Sequence, residues 1–200
     1  MRATTAALAK AGTVTATQST SSLSPAKRGR LEARERLVWA RADAYITITA
    51  ALARELEGRF GPRARLAVVP DGARVPAVGD VGLRGTAGTG GPVVGYAGHL
   101  YPWKGPDVLI AALGLLPGVH ALIVGGLAGE PDLERVRALA GRVAPGRVTF
   151  AGQVDPPRVA GLLRQADVLA LPNTPGRVST AYTSPLKLFE YMASGRPIVA

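Results

Sequence analysis

From residue 92 to residue 200, short apolar runs alternate with helix-like segments without a break. PVVGYAG (92–98), HALIVGG (120–126), RVTFAG (147–152), DVLALPN (167–173) and RPIVA (196–200) read as strands. Between them GPDVLIAALGLL (105–116), EPDLERVRALAGRV (130–143), PPRVAGLLRQA (156–166) and SPLKLFEYMASG (184–195) read as helices. The strands are apolar on both sides, as strands are when helices cover both faces of a parallel sheet. Parallel neighbours joined by helical crossovers connect right-handedly. The pattern therefore predicts an α/β fold: a Rossmann-like, doubly wound parallel sheet over 92–200.

Upstream the rhythm is looser. Residues 1–25 are rich in Ala, Ser and Thr without periodicity and read as a disordered lead. A helix is predicted from about 26 to 41, with Ser24 and Pro25 at its start. On it Leu31 and Val38, and on a neighbouring row Ala33, Leu37 and Ala40, recur among arginines. The bland reading is a core stripe under a solvated face; an interfacial helix on anionic lipid is the other. AYITIT (44–49) and RLAVVP (65–70) read as strands around a helix at 51–60, which Gly61–Pro62 stops. Residues 73–91 are dense in Gly and Pro and read as a linker.

Composition excludes several chemistries. The 200 residues contain no cysteine, so disulfides, thiolate metal sites and cysteine nucleophiles are out. No apolar run is long enough to span a bilayer, and polar residues break any signal-like segment at the start. A cytoplasmic location is the expectation. The net charge of +10 raises the prospect of an anionic partner. With only 5% aromatic residues there is little surface for stacking bases, so nucleic acid is not the expected partner.

In a doubly wound sheet, ligands bind beyond the carboxyl ends of the strands. The first loop there is GYAGHLYPWKG (95–105). Gly95 and Gly98 would let backbone approach a ligand, and Lys104 stands at the entrance to a helix, where an anion is favoured. The frame is neither a Walker loop nor a dinucleotide fingerprint; an ordinary strand–helix turn with a surface lysine is the plain alternative. The second is SPLKLFEYMASGRPIVA (184–200). Ser184 as cap and Pro185 as first helical residue would leave the amides of Leu186 and Lys187 for a phosphate. Glu190, one turn on, could accept two ribose hydroxyls, or simply face solvent. Glu130, Asp132 and Glu134 open a helix, where acids are favoured anyway; no metal site is read there, and no D-x-D motif occurs. His120 opens a strand and reads as structural.

Gly98 to Gly105 stands in a G-x-x-x-x-x-K-G frame, and Ser184 to Ala200 in an S-x-x-K-x-x-E-x-x-A-x-G-x-P-I-V frame. VGG (124–126), FAGQV (150–154) and ADVLALPN (166–173) fall between them, and VVPDG (68–72) precedes them. In this ordered set the chain resembles group 1, family 4-like glycosyltransferases of the GT-B class, over about residues 30–200. The resemblance implies a truncated donor-binding domain at 92–200, after a linker at 73–91 and a remnant of the N-terminal domain at 26–72. It implies a diphosphate held by Gly98, His99, Lys104, Leu186 and Lys187, a ribose on Glu190 and a nucleobase near Gln153 and Val154.

Two departures stand out. His99 occupies a position where many relatives carry arginine, and a histidine contact would depend on pH. Tyr182 replaces the family's first glutamate, eight positions before Glu190. The implied function is transfer of a sugar from a nucleoside-diphosphate sugar to an acceptor hydroxyl, retaining and metal-independent, with no cofactor beyond the donor. The acceptor would be a glycan, a lipid-linked or a small molecule, with peripheral contact to an anionic membrane as a further partner. The resemblance puts the catalytic residues in the N-terminal domain, so this chain alone is expected to bind donor weakly without turnover. A catalytically degenerate partner subunit, or a nucleotide-sugar epimerase or phosphorylase of the same shape, are the alternatives.

Overall fold

The computed structural model describes residues 24–73, 90–176, 179 and 181–200. The lead over 1–23 and most of the linker, 74–89, lie outside the described residues. Two compact units divide between Val69 and Pro70.

The first unit contains α1 (Pro25–Arg41), β1 (Tyr45–Thr47), α2 (Ala50–Phe60) and β2 (Leu66–Val68), with β1 and β2 paired in parallel across α2. Ser24 caps α1 by accepting the Lys27 amide, and Thr49 caps α2 by accepting the Leu52 amide. The face that α1 buries differs from the expected stripe. Trp39 is the buried residue, packed against Tyr45 and Phe60 with ring centroids 4.9 and 6.1 Å away. Its indole N–H donates to the Gly61 carbonyl at 3.2 Å. Leu31 and Val38 are half-buried, whereas Ala33, Leu37 and Ala40 are exposed. One large indole, with its hydrogen bond satisfied, dictates the rotation of the helix over several small alanines.

The second unit is the doubly wound sheet. Its strands are β3 (Val93–Ala97), β4 (His120–Val124), β5 (Val148–Gly152), β6 (Val168–Ala170) and β7 (Ile198–Val199). The helices are α3 (Pro106–Gly114), α4 (Pro131–Val143), α5 (Pro156–Leu163) and α6 (Leu186–Ser194). The spatial order is β5-β4-β3-β6-β7, all parallel. The order grows one way from β3 to β5 and then jumps back to β6, so β3 and β6 flank the switch point.

Alternation along the strands gives each face its own core. Tyr96, Ala121 and Ile123 pack with Leu109, Ile110 and Leu113 of α3 and with Leu133, Val136 and Ala140 of α4. Val93, Ala97, Leu122 and Val124 pack with Leu163 of α5 and Tyr191 of α6. Gly95 belongs to this second core and not to a ligand loop: a Cβ there would stand 2.7 Å from Leu169 and 2.8 Å from Ala166. Its missing side chain makes room for β6 and the turn that leads into it. Helix α3 stops at Gly114, leaving Leu115 84% exposed where an apolar helix end was expected.

Candidate functional site

The chain leaves β3 through Gly98, which has φ +132°. Its amide donates to the Val124 carbonyl of β4 at 2.8 Å, so the loop starts as a continuation of the sheet. A Cβ on Gly98 would lie 2.5 Å from Cε and 3.0 Å from Nζ of Lys187. Only glycine combines that backbone angle with so close a lysine. Beyond it, His99, Tyr101 and Trp103 stack as a ladder, with centroids 5.0 Å and then 6.4 Å apart. A short 3-10 turn, Pro102–Lys104, ends the ladder and delivers the chain to α3. The Lys104 ammonium rests 4.1 Å over the Trp103 ring, and burial holds its pKa below the usual lysine value.

Two anchors hold this loop. The Arg135 guanidinium of α4 donates to the Leu100 carbonyl at 2.7 Å and is itself held by Asp132 and Asp107. The Trp103 carbonyl accepts both the amide and the hydroxyl of Thr174, each at 3.3 Å. The loops after β3 and after β6, on either side of the switch point, are thus tied together.

Helix α6 supplies the second half of the site. It begins at Leu186 with Pro185 as N-cap and no side-chain cap bond. This corrects the expected start, because the Ser184 hydroxyl is engaged elsewhere: it accepts the Asp71 amide at 2.8 Å. An α-helix has no internal acceptors for its first-turn amides, so the amides of Leu186 and Lys187 remain at the helix mouth. The Leu186 side chain is 52% exposed.

Lys187 is the least ordinary group of the unit. Its Nζ is buried, has no hydrogen-bond partner among the described residues and sits 3.8 Å over the Tyr96 ring. Burial pushes its pKa down to about 7, the Lys104 charge adds to the depression and Glu190 opposes it. The Lys104 charge is thus near enough to Lys187 to bear on its protonation.

A cavity of about 410 Å³ opens between the carboxyl ends of β3, β4 and β5 and the start of α6. Gly98, His99, Gln153, Val154, Lys187 and Glu190 all line it, beside Gly125 and Gly126 at the end of β4. Six of the eight residues singled out from sequence therefore meet around one space. Lys104 and Leu186 do not line it; the Lys104 charge acts on Lys187, which does. Glu190 is exposed and forms the ridge to a second cavity, about 330 Å³, between α5 and α6. Among the described residues, no three His, Asp or Glu side chains gather where a metal ion could sit. Glu130, Asp132 and Glu134 are each engaged locally, by the Leu127 amide, Arg135 and Arg137. Tyr182 is half-buried in the segment before α6.

Sequence reasoning missed the two tyrosines that build the site from below. Tyr96 is fully buried and its hydroxyl donates to the His99 carbonyl at 2.7 Å. Tyr191 is fully buried on α6, and its hydroxyl accepts the Ala97 amide at 2.8 Å. Both read as apolar positions in a strand and a helix. The available signal was chemical: a buried phenol needs a hydrogen-bond partner, and the nearest backbone polar groups are those at the strand ends.

The family model described as "Glycosyl transferases group 1" matches residues 91–200. The model described as "Glycosyl transferase 4-like domain" matches residues 2–72. A D-inositol 3-phosphate glycosyltransferase of Nocardia farcinica is 35% identical over 186 residues, covering 83% of this chain and 39% of that protein. The protein of the same name from Xylanimonas cellulosilytica is 34% identical over 191 residues, 88% of this chain and 44% of that protein. The chain thus spans about two fifths of the length of these relatives. Among solved structures, sucrose-phosphate synthase of Thermosynechococcus elongatus superposes with a TM-score of 0.67 at 23% identity, over 90% of this chain and 45% of that one. Anabaena HepE, solved in complex with UDP-glucose, gives 0.60 at 25% identity, over 88% of this chain and 50% of that one.

Proposed function

The chain belongs to the group 1 glycosyl transferases, and on that premise we propose that its second unit binds the nucleoside-diphosphate part of a sugar donor. The enzyme it serves moves the sugar to an acceptor hydroxyl, with retained anomeric configuration and without a metal ion. One observation carries this reading: the loop after β3 and the start of α6, some eighty residues apart in sequence, line one cavity that Lys187 enters, a lysine that feels the Lys104 charge.

The diphosphate would lie between Gly98, His99 and the mouth of α6, where the lysines and first-turn amides favour an anion. As the bond from the anomeric carbon to the phosphate oxygen breaks, negative charge grows on the leaving diphosphate. Lys187 and Lys104 are already in place to stabilise it, which is how fixed cations accelerate such a step. Glu190 would accept the ribose hydroxyls, and the base would extend toward Gln153 and Val154. HepE, captured with UDP-glucose, holds a donor of this class. A peripheral seat on anionic lipid belongs to the same proposal, because Leu37 is exposed on α1 between Arg34, Arg36 and Arg41; co-sedimentation with anionic and neutral vesicles tests it.

Titration calorimetry of the chain with UDP, GDP and ADP tests the donor site. One diphosphate is expected to bind, in EDTA as well as without it. Glu190→Ala should weaken it by about 10-fold or more, the scale of a charge-assisted hydrogen bond, and Lys104→Ala by several-fold through the lost charge. Binding of no nucleotide, or variants that bind like the parent, would overturn the assignment.

A further inference from the structure

Resting on the donor reading above, we propose that binding of the diphosphate draws one proton onto Lys187, and that the Tyr96 ring is the positioning element that keeps this amine aimed at the cavity while the site is empty. An ammonium carries three donors, yet Lys187 Nζ is buried and makes no hydrogen bond among the described residues. It is confined by the Gly98 backbone on one side and the Tyr96 ring, 3.8 Å away, on another. A ring face attracts a cation but offers no acceptor lone pair, so it places the group without satisfying it.

The charged groups around it do not compensate. Lys104, from the turn before α3, repels a second positive charge there. Glu190, three residues on along α6, is exposed and favours the charge only weakly against burial. His99 lines the same cavity from the β3 loop. Tyr96 is protonated, since burial raises its hydroxyl's pKa. The remaining lining from β4, β5 and α5 consists of Val124, Gly125, Gly126, Leu127, Gln153, Val154, Pro156 and Val159, none of which titrates. The empty site therefore holds Lys187 largely neutral above neutral pH. A diphosphate supplies both the opposite charge and the acceptor oxygens, and the proton arrives from solvent onto Nζ.

The experiment is calorimetry with UDP, GDP and ADP at about pH 8, in buffers of different ionisation enthalpy, where a terminal phosphate with pKa near 6 is already ionised. The slope of observed heat against buffer enthalpy counts protons. The chain should take up roughly 0.9 proton per nucleotide bound, from an amine near pH 7 made fully cationic. Lys187→Arg, whose guanidinium never loses its charge, should bind without uptake, whereas His99→Asn should keep it. Tyr96→Leu should lower affinity, while Tyr96→Phe, which retains the ring, should keep the uptake. A parent that binds nucleotide with uptake below about 0.2 proton, or a Lys187→Arg variant with the parent's uptake, overturns the inference while leaving the donor site standing. Absence of any nucleotide binding overturns the donor reading and this inference with it.

Discussion

The hydroxyl of Tyr191 accepts the Ala97 amide at 2.8 Å, so helix α6 is bonded to the carboxyl end of β3 at the point where the site begins. Both groups are buried. One residue after Ala97 comes Gly98, and one residue before Tyr191 comes Glu190. A single buried hydrogen bond thus sets the distance between the two halves of the cavity. Tyr191→Phe preserves the ring and strands the amide, which costs about 1–3 kcal/mol when a buried donor loses its only partner. Urea denaturation should show that loss as a lower midpoint at unchanged slope. An unaltered midpoint would mean that another acceptor or a water takes over.

The depressed pKa of Lys187 makes the stability of the nucleotide-free chain depend on pH in a defined direction. In the unfolded chain a lysine titrates near 10.4, and in the folded chain burial brings this one down to about 7. Between those values the unfolded state holds a proton that the folded state has released. Stability from this group therefore rises with pH across the window. Below about pH 7 both states are charged and the penalty is complete. The midpoint of the parent, compared with Lys187→Met, should climb between about pH 7 and pH 9. A difference between the two proteins that stays flat over this range would contradict the burial of the ammonium.

Gly98 separates a local backbone effect from a site effect. With φ +132°, an alanine there carries a strain of about 1–3 kcal/mol. Its methyl would also meet Cε and Nζ of Lys187 at 2.5 and 3.0 Å. The lysine is flexible at that end and should swing aside, leaving its place at the cavity. Gly146→Ala is the control: its φ is +71° and the space around it is open, so it strains a remote turn and touches nothing. Both variants should lose stability in urea, and only Gly98→Ala should lose nucleotide affinity. Equal affinities for the two would remove Lys187 from the binding site.

How much of this was legible beforehand follows the physics of each feature. The βα alternation and the doubly wound sheet were readable, because buried parallel strands need apolar residues on both faces, and Val93–Ala97 and His120–Val124 show that directly. The rotation of α1 was not, because small alanines at helical spacing look like a core stripe until Trp39 overrides them. Ser184 looked like a cap by its position before a proline; a tertiary bond to the Asp71 amide took its hydroxyl instead. Gly95 and Gly98 are two residues of one run with opposite purposes, one filled by Leu169 and Ala166 and the other by Lys187. Sequence spacing carries no record of which neighbour occupies the space a glycine leaves. The phenols of Tyr96 and Tyr191 were hidden for a related reason: their rings satisfy the hydrophobic pattern, and only tertiary structure reveals what the hydroxyls bind.

Arg135 bears the last prediction. Its guanidinium spans three acceptors from different elements: Asp107 on α3, Asp132 on α4 and the Leu100 carbonyl of the loop after β3. The side chains of the arginine and both carboxylates are about one-third exposed, so each ion pair contributes only about 0–1 kcal/mol. Leu100 is 1% exposed, and its carbonyl gains most from the fork. Lysine offers a compact point charge in place of a planar fork and cannot serve all three. Arg135→Lys should therefore lower stability by about 1–2 kcal/mol, mainly through the carbonyl. Asp107→Asn should cost less, and the double-mutant cycle between them should give a coupling below about 1 kcal/mol. Freed from its anchor, the loop from His99 to Lys104 would hold a diphosphate less well, and nucleotide affinity should fall several-fold. A large Asp107–Arg135 coupling with unchanged affinity would instead make the arginine a helix–helix clamp with no hand in shaping the loop.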